Sequence, residues 1–153
     1  DGVGMTSSAL VLVGAQNWDH PAWRGSLYPE GLPEDWLLSY YNTQFQAVYL
    51  PSAVWQAASE ATWTQWLDDT QDGFYFVLEP DAAVPPASQR VLLATSEWTV
   101  AHVWWLDEAP DMRALAQRIA QHAAIREPLF VFSRSGNLGQ LEQANTLRQI
   151  MGY

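Results

Sequence analysis

Polar side chains follow the apolar runs of this sequence, at points where buried strands would end. Ligands of parallel α/β sheets bind at the carboxyl ends of the strands, so these positions are where chemistry is expected. Two of them, Glu79 and Arg134, carry opposite charges and either orient a polar ligand together or form a structural ion pair. Gln16, Trp105 and Asp107 belong to the same predicted rim. The ligand-binding candidates are Trp18, His20, Ser52, Glu79, Ser133 and Arg134.

His20 is the residue of this set with the chemistry of a general base, because imidazole titrates near neutral pH. Asp19 precedes it and supplies the neighbouring carboxylate that such a base often uses. The structural alternative is that His20-Pro21 simply begins a turn. We therefore predict no catalytic residue, with His20 as the alternative.

The segment from Ser133 to Gly139 joins hydroxyls, an arginine and two glycines just before a predicted helix. Backbone N–H groups at a helix N-terminus can hold an anion, and barrels often bind phosphate after their late strands. The alternative is an ordinary serine or asparagine cap with glycines that ease the turn. The segment lacks a P-loop lysine and the spacing of a dinucleotide-binding loop, which favours the cap.

Metal binding has little support in the sequence. The three histidines, at positions 20, 102 and 122, lack the short spacing of zinc ligands. An acidic site is conceivable, but acids in loops are usually solvated. We predict no metal and no cofactor; the acidic residues considered are Glu79, Asp81 and Asp107.

Charge and cysteine content exclude several classes of function. All seven basic residues are arginine and seventeen residues are acidic, which gives a net charge of −10. Such a chain repels phosphate backbones, so we expect neither a nucleic-acid partner nor an anionic membrane. The absence of cysteine removes thiol nucleophiles, disulfides and thiolate metal sites, and the absence of lysine removes Schiff-base chemistry.

The amino-terminal residues carry no recognisable targeting signal. The apolar run over residues 9–13 is far shorter than a membrane span and lacks the basic flank of a secretory signal. We therefore expect a cytoplasmic protein. Met5 is a plausible native start, which would make residues 1–4 a remnant of cloning, and a boundary inside a longer chain fits the sequence equally well.

A length of 153 residues predicts one domain. Apolar runs alternate with segments of helical spacing, which predicts a mostly parallel α/β sheet of about five to six strands with flanking helices. Residues 80–89, rich in proline and alanine, predict a connector, and residues 90–95 are ambiguous between strand and helix. The predicted strands are residues 10–13, 47–50, 74–78, 100–106 and 129–132; the predicted helices begin at Pro33, at Ser59 or Thr62, at Pro110 and after Gly136.

Nine tryptophans are a heavy load for a chain of this length. Periodicity assigns most of them to the core, for example Trp36 with Tyr40 on one helix face. Trp104 and Trp105 are consecutive in a predicted strand, so their side chains must face opposite sides of the sheet. Trp18 is the best ligand-facing tryptophan because it lies in a loop. The last helix is predicted to bury Leu138, Leu141, Leu147 and Ile150.

Aromatic landmarks fall in a fixed order over residues 13–80. They are Gly14-Ala15-Gln16-Asn17-Trp18, Trp23-Arg24-Gly25, Tyr28-Pro29, Trp36-Leu37, Tyr40-Tyr41, Phe45-Gln46-Ala47-Val48 and Asp72-Gly73-Phe74. This pattern resembles the YecE-like family, also called domain of unknown function 72. Members of that family resemble (β/α) barrels and are longer than this chain, which implies a truncated TIM-barrel-like domain with an internal deletion at residues 80–89. The implied spatial order is third, second, first, fifth and fourth strand, although spacing alone equally allows an ordinary open doubly wound sheet.

The sequence departs from the family's pattern where that pattern is polar. After its second strand the family resembles Glu-Ile-Asn-Ser-Thr-Phe-Tyr, whereas this chain runs from Tyr49 through Pro51 to Trp55 and keeps only Ser52. Glu79 stands where the family tends to carry lysine, and Ser133-Arg134 where it tends to carry paired asparagines. The resemblance therefore implies a fold and no reaction.

These departures predict a non-catalytic domain that self-associates or binds a small ligand. A partial barrel exposes two parallel sheet edges, so we expect a homodimer that covers them. Two alternatives stay open. One is a small hydrolase or isomerase acting on a polar, phosphorylated or sugar-like metabolite, with His20 as base and Arg134 as anchor; the other is a remnant without a selected activity.

Overall fold

The computed structural model describes residues 10–153, and its centre is a sheet of six parallel strands. Their order is β4-β3-β2-β1-β6-β5, so the first and last strands of the chain are neighbours in the middle of the sheet. This confirms the predicted α/β partial barrel and the order implied by the resemblance. The ambiguous segment 90–95 supplies an extra edge strand beside the third. The strands are β1 (Val11–Gln16), β2 (Ala47–Leu50), β3 (Tyr75–Leu78), β4 (Val91–Leu93), β5 (Val103–Trp105) and β6 (Leu129–Ser133).

Helices connect most of the strands, and four of these helices have an N-terminal cap supplied by a side chain. Ser59, Thr95, Asp111 and Asn137 each accept a hydrogen bond from a backbone N–H of the first turn, which satisfies a donor the helix leaves unpaired. The expectations for residues 1–4 and Met5 lie outside the described residues. The helices are α1 (Leu37–Gln44), α2 (Ser52–Ala57), α3 (Glu60–Asp68), α4 (Ser96–His102), α5 (Met112–Ile125) and α6 (Leu138–Ile150), with 3₁₀ turns at Pro21–Trp23 and Glu34–Trp36.

The outer face of the sheet packs against α1, α3, α5 and α6 and forms the larger core. Strand side chains that alternate along β1, such as Val11 and Val13, point to this face because the side-chain period of a strand is two. Leu115 and Ile119 lie one turn apart on α5 and are fully buried against them. This layer of helices is what a (β/α) barrel places outside its strands.

The inner face carries a second, aromatic cluster. In a closed barrel, side chains from the far wall would fill this space. Here rings from strands that are not neighbours in the sheet contact one another across the inner face: Tyr49 of β2 lies 5.0 Å from Trp105 of β5 and 5.8 Å from Phe132 of β6 between ring centroids. Phe130 and Phe132 stack at 6.0 Å and are almost fully buried. Large rings thus replace the missing strands as the filling of the half-barrel.

Helix α4 crosses the open side of this half-barrel. β4 and β5 are the two edges of the sheet, which in a flat sheet would lie about 24 Å apart, at about 4.8 Å per neighbouring pair. The link between them contains the seven residues of α4 and reaches about 22 Å at full stretch. It must also return from the carboxyl end of β4 to the amino end of β5, so the sheet has to curl. Trp98 of α4 then packs on Phe130 of the inner face, with centroids 5.3 Å apart.

Three sequence predictions about these elements are wrong. Residues 100–106 are not one strand, because the Thr95 cap starts a helix that continues to His102 and leaves only three residues for β5. Trp36 is not in the core but 62 % exposed, and it lies in the 3₁₀ turn that precedes α1 rather than on the helix. Ile150, at the end of α6, is 78 % exposed rather than inward. Short apolar segments do not show by themselves which partner will cover them.

Gly14 and Tyr41 fix the centre of the sheet. The buried Tyr41 hydroxyl accepts a hydrogen bond from Ala15 N at 2.7 Å and donates one to Ala47 O at 2.6 Å, so one side chain joins β1 to β2. A Cβ at Gly14 would lie 1.8 Å from Ala47 O and 2.7 Å from the Tyr41 oxygen. Only glycine leaves room for this bridge.

Residues 79–90 connect β3 to β4 without a helix or strand. A parallel crossover needs about a dozen residues, which this segment just provides. Arg90 anchors its end by donating to the carbonyl oxygens of Leu67 and Gln71, at 2.7 and 2.6 Å. A helical unit that barrels place here is therefore replaced by a short surface connector.

Candidate functional site at the carboxyl rim

Arg134 lies across the mouth of the half-barrel, directly after β6. Its guanidinium carbon is 3.7 Å from the centroid of the Trp105 ring and 5.8 Å from that of Tyr49. Nη1 donates to Gln16 Oε1 at 3.0 Å. Neither Nε nor Nη2 has a hydrogen-bond partner among the described residues, so the fork of the guanidinium is open to a planar anion.

Asp107 holds the loop that carries Arg134. Its carboxylate accepts hydrogen bonds from the backbone N–H of Arg134 at 2.5 Å and of Ser135 at 3.2 Å. Burial by itself would raise the pKa of Asp107, but these bonds stabilise the carboxylate and hold its pKa below the usual value. The loop is therefore fixed by a residue after β5, which lies beside β6 in the sheet.

Ser133 has a structural task in this loop. It is fully buried, and its hydroxyl oxygen accepts hydrogen bonds from the N–H groups of Gly136 and Asn137, at 3.1 and 3.2 Å. Asn137 in turn caps α6. These contacts occupy the groups that the anion-binding interpretation of this segment would have used.

Glu79 lies on the same rim but forms no ion pair with Arg134 among the described residues, so the ion-pair interpretation is wrong. Its carboxylate instead accepts a hydrogen bond from Ser52 N, the first residue of α2, at 2.8 Å. Burial raises the pKa of Tyr49, the charge of Glu79 raises it further, and Arg134 opposes both effects. The Tyr49 hydroxyl therefore lies within the electrostatic reach of both charges.

His20 is packed into the loops behind the rim. Nε2 lies 2.6 Å from Gln16 O, which requires this nitrogen to carry the proton and donate it. The ring stacks on Trp23 at 4.3 Å. A Cβ at Gly136 would lie 2.8 Å from Nδ1, so the other ring nitrogen faces the glycine backbone. Nε2 is thus used in a backbone hydrogen bond, and Nδ1 lies against the glycine of the last loop.

Trp18 packs against the outer core rather than under Arg134. Its ring contacts Trp66 of α3 edge to face, with centroids 5.0 Å apart. It lines a groove there, together with residues of the Glu34–Trp36 turn and α1. Of the six sequence candidates, the fold therefore places Glu79, Ser52 and Arg134 on the exposed rim, Ser133 and His20 behind it, and Trp18 elsewhere.

The family profile described as protein of unknown function DUF72 matches residues 12–84. Over this segment the chain is similar to the DUF72 family, in agreement with the resemblance seen in the sequence. The crystal structure of a DUF72 family protein from Thermotoga maritima aligns with 91 % of this chain and 52 % of its own, at 20 % sequence identity and a TM-score of 0.41. The chain thus spans about half the length of that protein. No curated protein has significant sequence similarity to it.

The described residues include no group of three or more histidine, aspartate or glutamate side chains arranged to hold a metal ion. Among the same residues, no helix has both the length and the apolar character needed to span a membrane. The rim carries the guanidinium of Arg134, the carboxylates of Glu79 and Asp107, the Tyr49 phenol and the Trp105 indole.

The sequence analysis did not identify one residue of the rim, Tyr49. Its position inside an apolar run marks it as a core residue, and its ring is indeed only 7 % exposed. The available signal was its departure from the family pattern, which has a glutamate there. Tyr49 lies near the carboxyl end of β2 on the inner face, so its hydroxyl reaches the rim although its ring is buried.

Proposed function

We propose that this chain is a non-catalytic domain that binds a small polar ligand through a carboxylate at Arg134. The open fork of the guanidinium, held flat on the Trp105 ring, is the observation that carries the proposal. Stacking on an aromatic ring restricts the side chain before the ligand arrives, which lowers the entropic cost of binding. A carboxylate matches this fork with two parallel hydrogen bonds.

Glu79 gives the ligand a second requirement. It is exposed at the end of β3, Arg134 follows β6 on the other side of β2, and both charges act on Tyr49 between them. A second negative group on the ligand would be repelled there, whereas an amino group would be attracted. We therefore propose a ligand with a carboxylate at one end and a cationic amine at the other, of the amino-acid class.

The contacts of His20 and Ser133 support a binding role over a catalytic one. A general base needs a free lone pair near the substrate, and a nucleophile needs a free hydroxyl. His20 donates Nε2–H to Gln16 O, so its lone pair is on Nδ1, which lies against Gly136, and Ser133 Oγ accepts two backbone N–H groups. Neither residue presents its reactive atom to the rim.

The test is calorimetric titration of the full chain with glycine, β-alanine and γ-aminobutyrate, which separate the two charges by increasing lengths. Acetate and ethylamine serve as single-charge probes. We expect one amino acid of the series to bind, and Arg134→Gln to weaken it by about tenfold or more, the usual effect of losing a charged hydrogen-bond pair. Arg134→Lys keeps the charge without the planar fork and should restore only part of the affinity.

Arg113→Gln is the matched control, because it removes an arginine from the exposed face of α5. Equal binding by wild type and Arg134→Gln would overturn the proposal. So would acetate binding as tightly as the best amino acid in the wild type and in Glu79→Gln alike.

Self-association is the second part of the proposal, and the edge strand β4 supports it. Arg90 O and Ala94 N both bond to β3, so the backbone N–H and C=O of Leu93 point away from the sheet. The Leu93 side chain is 38 % exposed. A second copy pairing with this edge would cover both the apolar side chain and the unpaired backbone groups.

A further inference from the structure

A groove of about 870 Å³ lies on the outer surface of the domain. The Glu34–Trp36 turn and α1 form one side, and α3 forms the other. The volume is within the range of small-molecule sites. Arg134 and Glu79 are not among the residues that line it, so the groove is separate from the rim site.

The groove is negatively charged on both sides. Glu34 and Asp35 line one side and Asp69 the other, and no basic residue belongs to the lining. Arg24 approaches Glu34 from outside to 3.9 Å, at the limit of an exposed ion pair. Two further carboxylates stay uncompensated by any cation among the described residues, so the groove favours a ligand with more than one positive charge.

Aromatic rings supply the rest of the surface. Trp18 and Trp66 meet edge to face at 5.0 Å, and Tyr40 and Trp36 complete the lining. Trp36 is 62 % exposed, which is unusual for so large an apolar side chain. Indole faces attract ammonium groups and also cover hydrocarbon.

We propose that this groove binds a linear diamine or polyamine, an organic cation whose amino groups are joined by methylene chains. Its charged ends pair with the carboxylates on the two sides, and its methylenes lie on the tryptophans. A bare metal ion would make no use of the rings, and a monoamine would satisfy only one side. This site takes a cation, whereas the rim site takes a carboxylate, so the two proposals stand or fall separately.

The experiment titrates the full chain with 1,4-diaminobutane at constant ionic strength, with tryptophan fluorescence and calorimetry as readouts. The probes 1-aminobutane and 1,4-butanediol have the same length with one charge and none. We expect the diamine to bind at least about tenfold more tightly than the monoamine, because a second charged pair is worth that much. We expect the diol to give no saturable signal.

Variants separate a built site from general attraction to an acidic protein. Trp36→Ala removes an exposed ring without opening the core and should weaken diamine binding about two- to fivefold. Asp35→Asn should weaken it by a similar factor. Asp68→Asn is the matched control, since it removes the same charge from an exposed position of α3 outside the groove.

Three results would overturn the inference. They are equal affinity for diamine and monoamine, an effect of Asp68→Asn as large as that of Asp35→Asn, and unchanged binding in Trp36→Ala. Circular dichroism of each variant checks that the fold is intact. An Arg134→Gln chain should bind the diamine normally, which separates failure of this site from failure of the rim site.

Discussion

The Tyr41 hydroxyl, at the centre of the domain, both accepts and donates a buried hydrogen bond. Tyr41 accepts from Ala15 N and donates to Ala47 O, two backbone groups that no water can reach. Burial is the main reason why the pKa of Tyr41 is raised well above its ordinary value, so the group stays neutral and keeps its proton for Ala47. The oxygen is thus part of the β1–β2 ladder, although it belongs to α1.

Tyr41→Phe should lower the free energy of unfolding by about 2 kcal/mol, because it leaves a donor and an acceptor buried without partners. Urea denaturation followed by circular dichroism measures the change. Tyr40→Phe is the control, and we expect it to shift stability by less than about 0.5 kcal/mol since its ring is half-exposed. Similar losses in the two variants would contradict this account of the bridge.

At the scale of elements, α5 holds the helix that closes the half-barrel. Arg118 of α5 donates to the carbonyl oxygens of Val100 and Ala101 near the end of α4, each at 3.1 Å, and through Nε to His122 Nε2 at 2.8 Å. His122 Nδ1 lies 3.0 Å from Glu127 O and carries the proton of the neutral ring. Protonation at Nε2 would break the bond from Arg118.

Stability should therefore fall with pH below about 6.5. Burial lowers the pKa of His122, the bond to Glu127 O opposes this, and the charges of Arg118 and His102 lower it further. The unfolded chain then binds more protons than the folded one below the ordinary histidine pKa of about 6.5, so stability present above that pH is lost as pH falls toward the lower folded value. His102 Nε2 lies 3.7 Å from Glu127 Oε1 in the same neighbourhood.

Urea midpoints at pH 5, 6, 7 and 8 measure this dependence. We expect the midpoint of the wild type to drop between pH 7 and pH 5, and that of His122→Gln to change less over the same interval. His102→Gln serves as the comparison for the neighbouring imidazole. A slope as steep in His122→Gln as in the wild type would assign the dependence to other groups.

A partial barrel exposes its inner face and the two edges of its sheet. In this domain aromatic rings fill the inner face, α4 crosses the opening, and each edge strand is only three residues long. Short edges limit unwanted pairing, but they do not remove it. Leu93 keeps a side chain and a backbone peptide turned outward on β4. This edge is where a second copy would add.

Sedimentation equilibrium should give about twice the 17.2 kDa of the chain at high protein concentration. Leu93→Lys should shift the mass to that of one chain, because a charged edge residue opposes strand pairing. Val84→Lys is the control, since that side chain is 91 % exposed on the 79–90 connector. A wild type that stays monomeric at every concentration would end the proposal of self-association.

Local patterns in the sequence determined most of the elements. The buried runs of β1, β2, β3 and β6, the Ser59 cap and the start of α5 at Asp111 all follow from neighbouring residues. Trp104 and Trp105 face opposite sides as their adjacency requires, the first in the outer core and the second on the inner face. These features can be predicted from apolar residues that recur every two or 3.6 positions and from a side chain that can cap a helix.

Only the tertiary structure decided which side chains converge. Arg134 meets Trp105 and Gln16 because β5, β6 and β1 are neighbours in the sheet, and Glu79 turns to Ser52 rather than to Arg134. The exposure of Trp36 also depends on what packs beside it. The periodicity of apolar residues predicts which face of an element is buried. Contacts between distant segments depend on the strand order and the curl of the sheet, and no local sequence pattern predicts these.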